Sequence, residues 1–171
     1  MAELEFTVKA NPDSANHLFL GECRGYAALT AGRLSDARSL LVGLAATDPA
    51  NASALLGWSA RLALWLGDAD AAEKDIAGYW LAMAHDGAAA VIHAVILGGV
   101  AGLRGDRPVA INAYRDAVGR WRDLRLPIDE ALMALDMTYV LGPRDPAVAE
   151  AVSRARTNFI DLASRPIPRA A

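Results

Sequence analysis

The feature that most constrains this chain is a glycine that recurs at nearly even intervals, each time between an apolar stretch and a short polar turn. The glycines are Gly32, Gly67, Gly105 and Gly142, and the intervals between them are 35, 38 and 37 residues. A period in this range is typical of stacked helical hairpins, in which each repeat buries its apolar face only against its neighbours. The spacing therefore predicts a repetitive helical architecture.

The residues around these glycines predict where helices end and begin. Glycine supplies the left-handed cap at a helix C-terminus, and Asp68 and Asp106 are placed to cap the following helices by accepting backbone N–H bonds. Pro108 and Pro146 fall in first turns, where the missing N–H costs nothing. Eight helices are predicted, at about residues 14–30, 35–47, 51–66, 69–85, 88–103, 107–124, 128–141 and 146–163. No segment alternates with period two, so no sheet is expected.

A finer spacing repeats inside the first three units. A small residue precedes the turn glycine by seven positions, an alanine follows it by five, and a larger apolar residue follows it by nine. These residues are Gly25, Ala60 and Gly98; Ala37, Ala72 and Ala110; and Leu41, Ile76 and Tyr114. Small residues let two helices approach closely, and the larger residue fills the space beside them.

This spacing resembles the tetratricopeptide repeat, whose pattern has a small residue, glycine, alanine and an aromatic or apolar residue at the same offsets. Pro49, seventeen residues after Gly32, matches the closing proline of that family, whereas Tyr79 stands where the second unit of the pattern has alanine. The resemblance implies an all-α fold: a right-handed stack of about four antiparallel helix hairpins, a tetratricopeptide-like solenoid. We expect one domain over residues 14–163, an N-terminal extension at 1–13 and a flexible tail at 164–171.

The C-terminal half, from Ala88 to Ser164, carries a second resemblance. Tyr114–Pro127 reads Y-R-x-A-x-x-x-W-R-x-L-x-L-P, Ala131–Asp136 reads A-L-x-x-L-D and is followed by Leu141-Gly142, and Ala155-Arg156 precedes Phe159. These stretches are similar to the helical-repeat tail of bacterial ATP-binding LuxR-type transcription regulators and their nucleotide-cyclase-fused relatives. In those proteins the tail is a scaffold or sensor region. The resemblance implies either a stand-alone relative or a fragment of a larger signalling protein.

Charge and hydropathy argue against two classes of partner. The net charge of -3 opposes general nucleic-acid binding, which relies on a basic surface. The arginines of residues 103–127 lie off the apolar stripe that contains Tyr114 and Trp121, so we predict that they form the solvated side of a helix, with a local anionic contact as the alternative. The longest apolar run, residues 88–103, is shorter than the ~20 residues that cross a bilayer, and predicts a buried helix and no membrane insertion.

No catalytic, metal or cofactor site is predicted. His17, His85 and His93 lack ligand spacing, and the single cysteine, Cys23, allows no intramolecular disulfide and fits a reducing, cytoplasmic location. Trp58 and Trp65 lie seven residues apart on one helix face, where they form either a core contact or an aromatic wall for a ligand.

The repeat resemblance implies one binding surface, because in such arrays the first helix of each hairpin lines a concave groove for a peptide or helix. The positions that map to this groove are Glu22, Tyr26, Thr30, Arg61, Trp65, Val95 and Gly99. A pairing of Glu22 with Arg61 is left open as an alternative. The sequence thus predicts a non-catalytic interaction or scaffold module that binds a protein or peptide segment, and the alternative is a small-molecule sensor with a pocket between helices. Phe19 and Phe159 on the end helices predict self-association or a neighbouring domain.

Overall fold

A computed structural model describes residues 14–47, 52–83 and 86–164, with side chains from 19 to 161 within those ranges. All regular structure in these ranges is α-helical, as predicted. The eight helices are α1 (Ser14–Thr30), α2 (Leu34–Thr47), α3 (Ala52–Trp65), α4 (Ala69–Met83), α5 (Gly87–Leu103), α6 (Arg107–Leu124), α7 (Pro127–Leu141) and α8 (Pro146–Ser164). The predicted extension at 1–13, the tail from 165, Pro49 and His85 lie outside the described residues.

The turns between helices form as the local chemistry predicts. Gly32, Gly67 and Gly105 have φ values of 74°, 77° and 93°, the left-handed conformation that glycine adopts at least cost. The carboxylate of Asp68 accepts a hydrogen bond from the backbone N–H of Ala71 at 3.0 Å, and Asp106 caps α6 in the same way. Each turn therefore ends one helix and starts the next within a few residues.

The helices pack in chain order, and alternate helices also meet. Every helix contacts the next one along the chain, while α3 contacts α5 and α5 contacts α7. Helix α3 also contacts α7 directly, although three helices separate them in the sequence. The buried apolar residues form three clusters, and Ile92 packs against two of them. The three clusters therefore adjoin one another through shared, partly buried side chains.

Helix α5 is the central element because it contacts α3, α4, α6 and α7. Its glycines make this close packing possible. A Cβ added at Gly98 would lie 2.5 Å from the Cβ of Ala113, and one added at Gly102 would lie 2.5 Å from Cγ1 of Val140. The apolar run is thus a largely buried helix, as predicted. No helix in the described ranges is long and apolar enough to span a membrane.

Candidate functional site

The site begins with a buried ion pair that joins α3 to α7. Asp136 is 0% exposed and accepts two hydrogen bonds. One comes from Nε of Arg61 at 3.0 Å and the other from Nε1 of Trp65 at 2.7 Å. The rings of Trp65 and Tyr139 stack next to this pair, with centroids 5.3 Å apart. The C-terminal half of α7 therefore lies against the C-terminal half of α3.

The surroundings of this ion pair are of low polarity. Burial raises the pKa of the Asp136 carboxyl, and the charge and hydrogen bonds of Arg61 and the hydrogen bond of Trp65 offset only part of that effect. The hydroxyl of Tyr114 is also buried and has no hydrogen-bond partner among the described residues. Burial, together with the nearby Asp136 charge, raises the pKa of Tyr114 well above its ordinary value. This hydroxyl therefore stays protonated.

A cleft of about 240 Å³ lies between α3, α4, α5 and α7, beside the buried ion pair. Its walls include the apolar side chains of Trp58, Ile92 and Leu132 and the polar side chains of Arg61 and Asp129. We call it the Arg61 cleft. Helix α3 contributes the tryptophan and the arginine, whereas α7 contributes Leu132 and Asp129. The two charged groups thus come from two different helices that border the cleft.

Arg61 connects the cleft to the ion pair. Its Nε donates to Asp136, whereas its Nη2 is buried and has no hydrogen-bond partner among the described residues. Its guanidinium carbon lies 5.7 Å from the ring centroid of Trp58, within cation–π range. Burial, followed by the charges of Asp86 and Asp129, raises the pKa of Tyr79, which also lines the cleft. The cleft is therefore lined by the guanidinium of Arg61, the protonated phenol of Tyr79 and the carboxylate of Asp129.

The structure brings two of the predicted groove residues together and separates the others. Arg61 and Trp65 both bind Asp136, so α7 covers them. Val95 is 0% exposed. Gly99 is also buried, and a Cβ at this position would lie 2.6 Å from Cδ1 of Leu64.

The remaining groove residues are on α1. Glu22 is half-buried, whereas Tyr26 and Thr30 are exposed. Tyr26 makes an edge-to-face contact with Trp58 at 5.9 Å, so it adjoins the cleft residues. The hydroxyl of Thr30 donates to the carbonyl of Ala27 within its own helix. The alternative pairing of Glu22 with Arg61 is wrong, because the arginine turns toward the buried carboxylate of α7.

Sequence reasoning missed Asp136 and Tyr139 as members of the site. The available signal was a carboxylate between the apolar residues Met133 and Met137, on a helix whose other buried carboxylate is Glu130. Charged residues are rarely fully buried unless they are paired, so this position predicted a cationic partner. The 75 residues that separate Asp136 from Arg61 gave no indication of which cation it was.

The other chemistry-bearing residues do not form a second centre in this region. His93 stacks on Trp80 with ring centroids 4.6 Å apart, and Cys23 is a half-buried free thiol. Within the described ranges, no group of three or more His, Cys, Asp or Glu residues is arranged to hold a metal ion. No family model, curated protein or solved structure matches the chain. Its function is therefore inferred from the geometry of its own side chains.

Proposed function

We propose that this chain is a non-catalytic interaction module, a tetratricopeptide-like stack of four helix hairpins that binds a segment of a partner protein in the Arg61 cleft. Arg61 is the observation that carries this proposal. It is 5% exposed, it lines the cleft, and its Nη2 has no hydrogen-bond partner among the described residues. An unsatisfied buried donor costs about 1–3 kcal/mol. A carbonyl or carboxylate oxygen of a partner is the kind of acceptor that this guanidinium lacks.

The pairing of charges in the cleft favours a peptide over a simple anion. The guanidinium of Arg61 donates hydrogen bonds, and the carboxylate of Asp129 on α7 accepts them. A peptide main chain offers both kinds of group within one residue. The apolar walls formed by Trp58, Ile92 and Leu132 would receive a side chain of the partner. Aromatic and arginine residues of this kind are frequent anchors in protein interfaces.

The packing of the helices supports the proposed stack. Gly32, Gly67 and Gly105 close three helix pairs with similar turns, and α3, α5 and α7 contact one another in order, as the first helices of stacked hairpins do. The ion pair between Arg61 and Asp136 brings α7 onto α3 at one end. The concave surface of this stack is thus reduced to a short cleft, which suits one anchor side chain better than a long peptide.

A small-molecule sensor is the second candidate, because the cleft lies between four helices and combines apolar walls with a few polar groups. The volume of the Arg61 cleft favours the peptide at this position. About 240 Å³ is available, which is below the roughly 300–1,000 Å³ of typical small-molecule pockets. We therefore place the protein partner first, and we propose, as the resemblance implies, that the chain is a scaffold or sensor region of a bacterial signalling or transcription regulator.

A random-peptide display library selected on the wild-type protein tests the proposal. The selected peptides are then titrated against Asp129→Asn and Leu132→Ala, which alter the cleft, and against Ile128→Ala, which removes a neighbouring apolar residue that is 54% exposed. We expect at least a tenfold loss of affinity in the two cleft variants and an unchanged affinity in the control. A library without enriched peptides, or equal binding by all variants, would contradict the proposal. A fragment that stabilises the wild type and not Leu132→Ala would favour the sensor.

A further inference from the structure

A second pocket lies where the turn between α6 and α7 meets α8, and it shares no lining residue with the Arg61 cleft. Its volume is about 370 Å³. Its lining includes Trp121, Arg122, Arg125, Arg154, Thr157 and Asn158. We call it the Arg125 pocket. Three guanidinium groups from three separate positions converge here, so an anion is the first class of ligand to consider.

The backbone at Arg125 is the first observation, because it differs from that of the other turns. Arg125 caps α6 in the left-handed conformation, with φ 58° and ψ 43°. Among the described residues it is the only non-glycine with positive φ, and Gly32, Gly67 and Gly105 adopt this conformation at the other turns. A side chain in this region is strained relative to glycine. Strain of this kind is found at ligand clamps, where the side chain has a role.

Unpartnered donors in the pocket wall are the second observation. Nε1 of Trp121 and Nε of Arg154 are both buried without a hydrogen-bond partner among the described residues. Trp121 is 1% exposed, and its indole N–H can only donate. Nε of Arg154 lies 3.5 Å from Oε1 of Glu130, within ion-pair range but without a hydrogen bond. Buried donors of this kind require an acceptor, such as an ion or water.

One buried carboxylate, that of Glu130, pairs with two of the three arginines of the pocket. The side chain of Glu130 is 9% exposed, and it accepts from Nη2 of Arg122 at 3.4 Å and from Nδ2 of Asn158 at 3.2 Å. It therefore holds Arg122 and Arg154 at the pocket. Arg154 also pairs with Glu150. Arg125 makes no hydrogen bond or ion pair with another described side chain. The pocket has more guanidinium groups than carboxylates.

We propose that the Arg125 pocket binds a phosphate monoester. Phosphate oxygens accept several hydrogen bonds at once, and a planar guanidinium donates two parallel ones. Arg125 and Arg122 would hold the phosphate, while Thr157 and the backbone at the start of α7 would complete its contacts. That helix begins after Leu126, and no side chain caps its first N–H groups. The ligand is either a small phosphate ester or a phosphorylated side chain of a partner protein.

Isothermal titration calorimetry with three probes tests this proposal: inorganic phosphate, glycerol 3-phosphate, and a pentapeptide with phosphoserine between alanines. The variants are Arg125→Gln, Arg125→Gly and the control Arg120→Gln. Arg120 is an exposed arginine of the same helix outside the pocket. Both Arg125 variants should weaken binding at least tenfold, which corresponds to the loss of one strong charged contact. The control should remain within twofold of the wild type.

Arg125→Gly separates a binding defect from a folding defect, because glycine fits the left-handed turn better than arginine. A variant that melts at or above the wild-type temperature and no longer binds supports the proposal. A phosphopeptide that binds tenfold more tightly than glycerol 3-phosphate identifies a phosphorylated partner, and equal affinities identify a small ester. Two results would overturn the proposal: no binding of any probe at millimolar concentration, or an equal loss in Arg120→Gln.

Discussion

The buried pair between Arg61 and Asp136 allows a quantitative prediction about what holds α7 against α3. Asp136→Asn keeps the size of the side chain and an oxygen that can accept from Trp65, which donates to Asp136 at 2.7 Å. It removes the negative charge that Arg61 meets at 3.0 Å. Because Arg61 is 5% exposed, its charge then lies buried without a counterion. Removing one partner of a buried ion pair costs about 3–5 kcal/mol.

The assay is urea denaturation at pH 7, followed by far-ultraviolet circular dichroism. We expect the free energy of unfolding of Asp136→Asn to fall by about 3–5 kcal/mol. That loss corresponds to a decrease of roughly 10 °C in Tm for a domain of this size. The control is Arg33→Gln, because Arg33 and Asp36 form an ion pair whose side chains are both 60% exposed. An exposed pair contributes about 0–1 kcal/mol. A loss below about 1 kcal/mol in Asp136→Asn would refute the reasoning.

The complementary variant, Arg61→Met, tests the same pair from the other side. It leaves Asp136 buried beside Trp65, where burial already raises the pKa of the carboxyl. A carboxyl whose pKa is higher in the folded state binds a proton more readily there than in the unfolded chain. Folding is then favoured as the pH falls toward the unfolded pKa. We therefore expect the destabilisation by Arg61→Met to be smaller at pH 5 than at pH 7, and the double variant with Asp136→Asn to lack this dependence.

Five further substitutions, each of a single residue, have expected effects on stability or association. Arg125→Gly should raise the free energy of unfolding by about 0.5–1 kcal/mol, because it relieves the left-handed strain; a lower Tm would contradict this. Gly98→Ala should destabilise the fold by about 1–3 kcal/mol, because its Cβ would lie 2.5 Å from the Cβ of Ala113. Gly119→Ala should stabilise the fold by about 0.5–1 kcal/mol, because a Cβ at this position would have no atom within 4 Å. Burial lowers the pKa of His93, so the folded state resists protonation of this residue. The free energy of unfolding should therefore fall as the pH drops below about 6.5. His93→Phe should weaken that pH dependence in urea titrations at pH 7 and pH 5.5. Phe159 is 51% exposed and lies at an apolar groove of about 460 Å³, so we expect it to promote self-association. Phe159→Ser should shift the sedimentation profile toward the monomer. Identical profiles of the variant and the wild type would show that this surface does not mediate self-association.

The helices were predictable because their signals are local. A glycine with positive φ, an aspartate that caps the next helix, and an apolar stripe each act within a few residues, so the sequence by itself determined the eight helices and nearly all of their ends. The predicted stripe of α6 is buried as expected, including Tyr114 and Trp121. The arginines of the same segment were predicted only as a group on the solvated side. In the structure they divide: Arg107 pairs with Asp145, whereas Arg125 lines a pocket.

The site itself was decided by the tertiary structure. Asp136 meets Arg61 across 75 residues and Trp65 across 71, and no spacing rule connects positions that far apart. Helix α5 contacts both α3 and α7, and a Cβ at Gly102 would lie 2.5 Å from Cγ1 of Val140 on α7. Small differences in packing at each helix contact accumulate from one helix to the next. The direction of a packed helix is the sum of many side-chain contacts and not a property of any one segment.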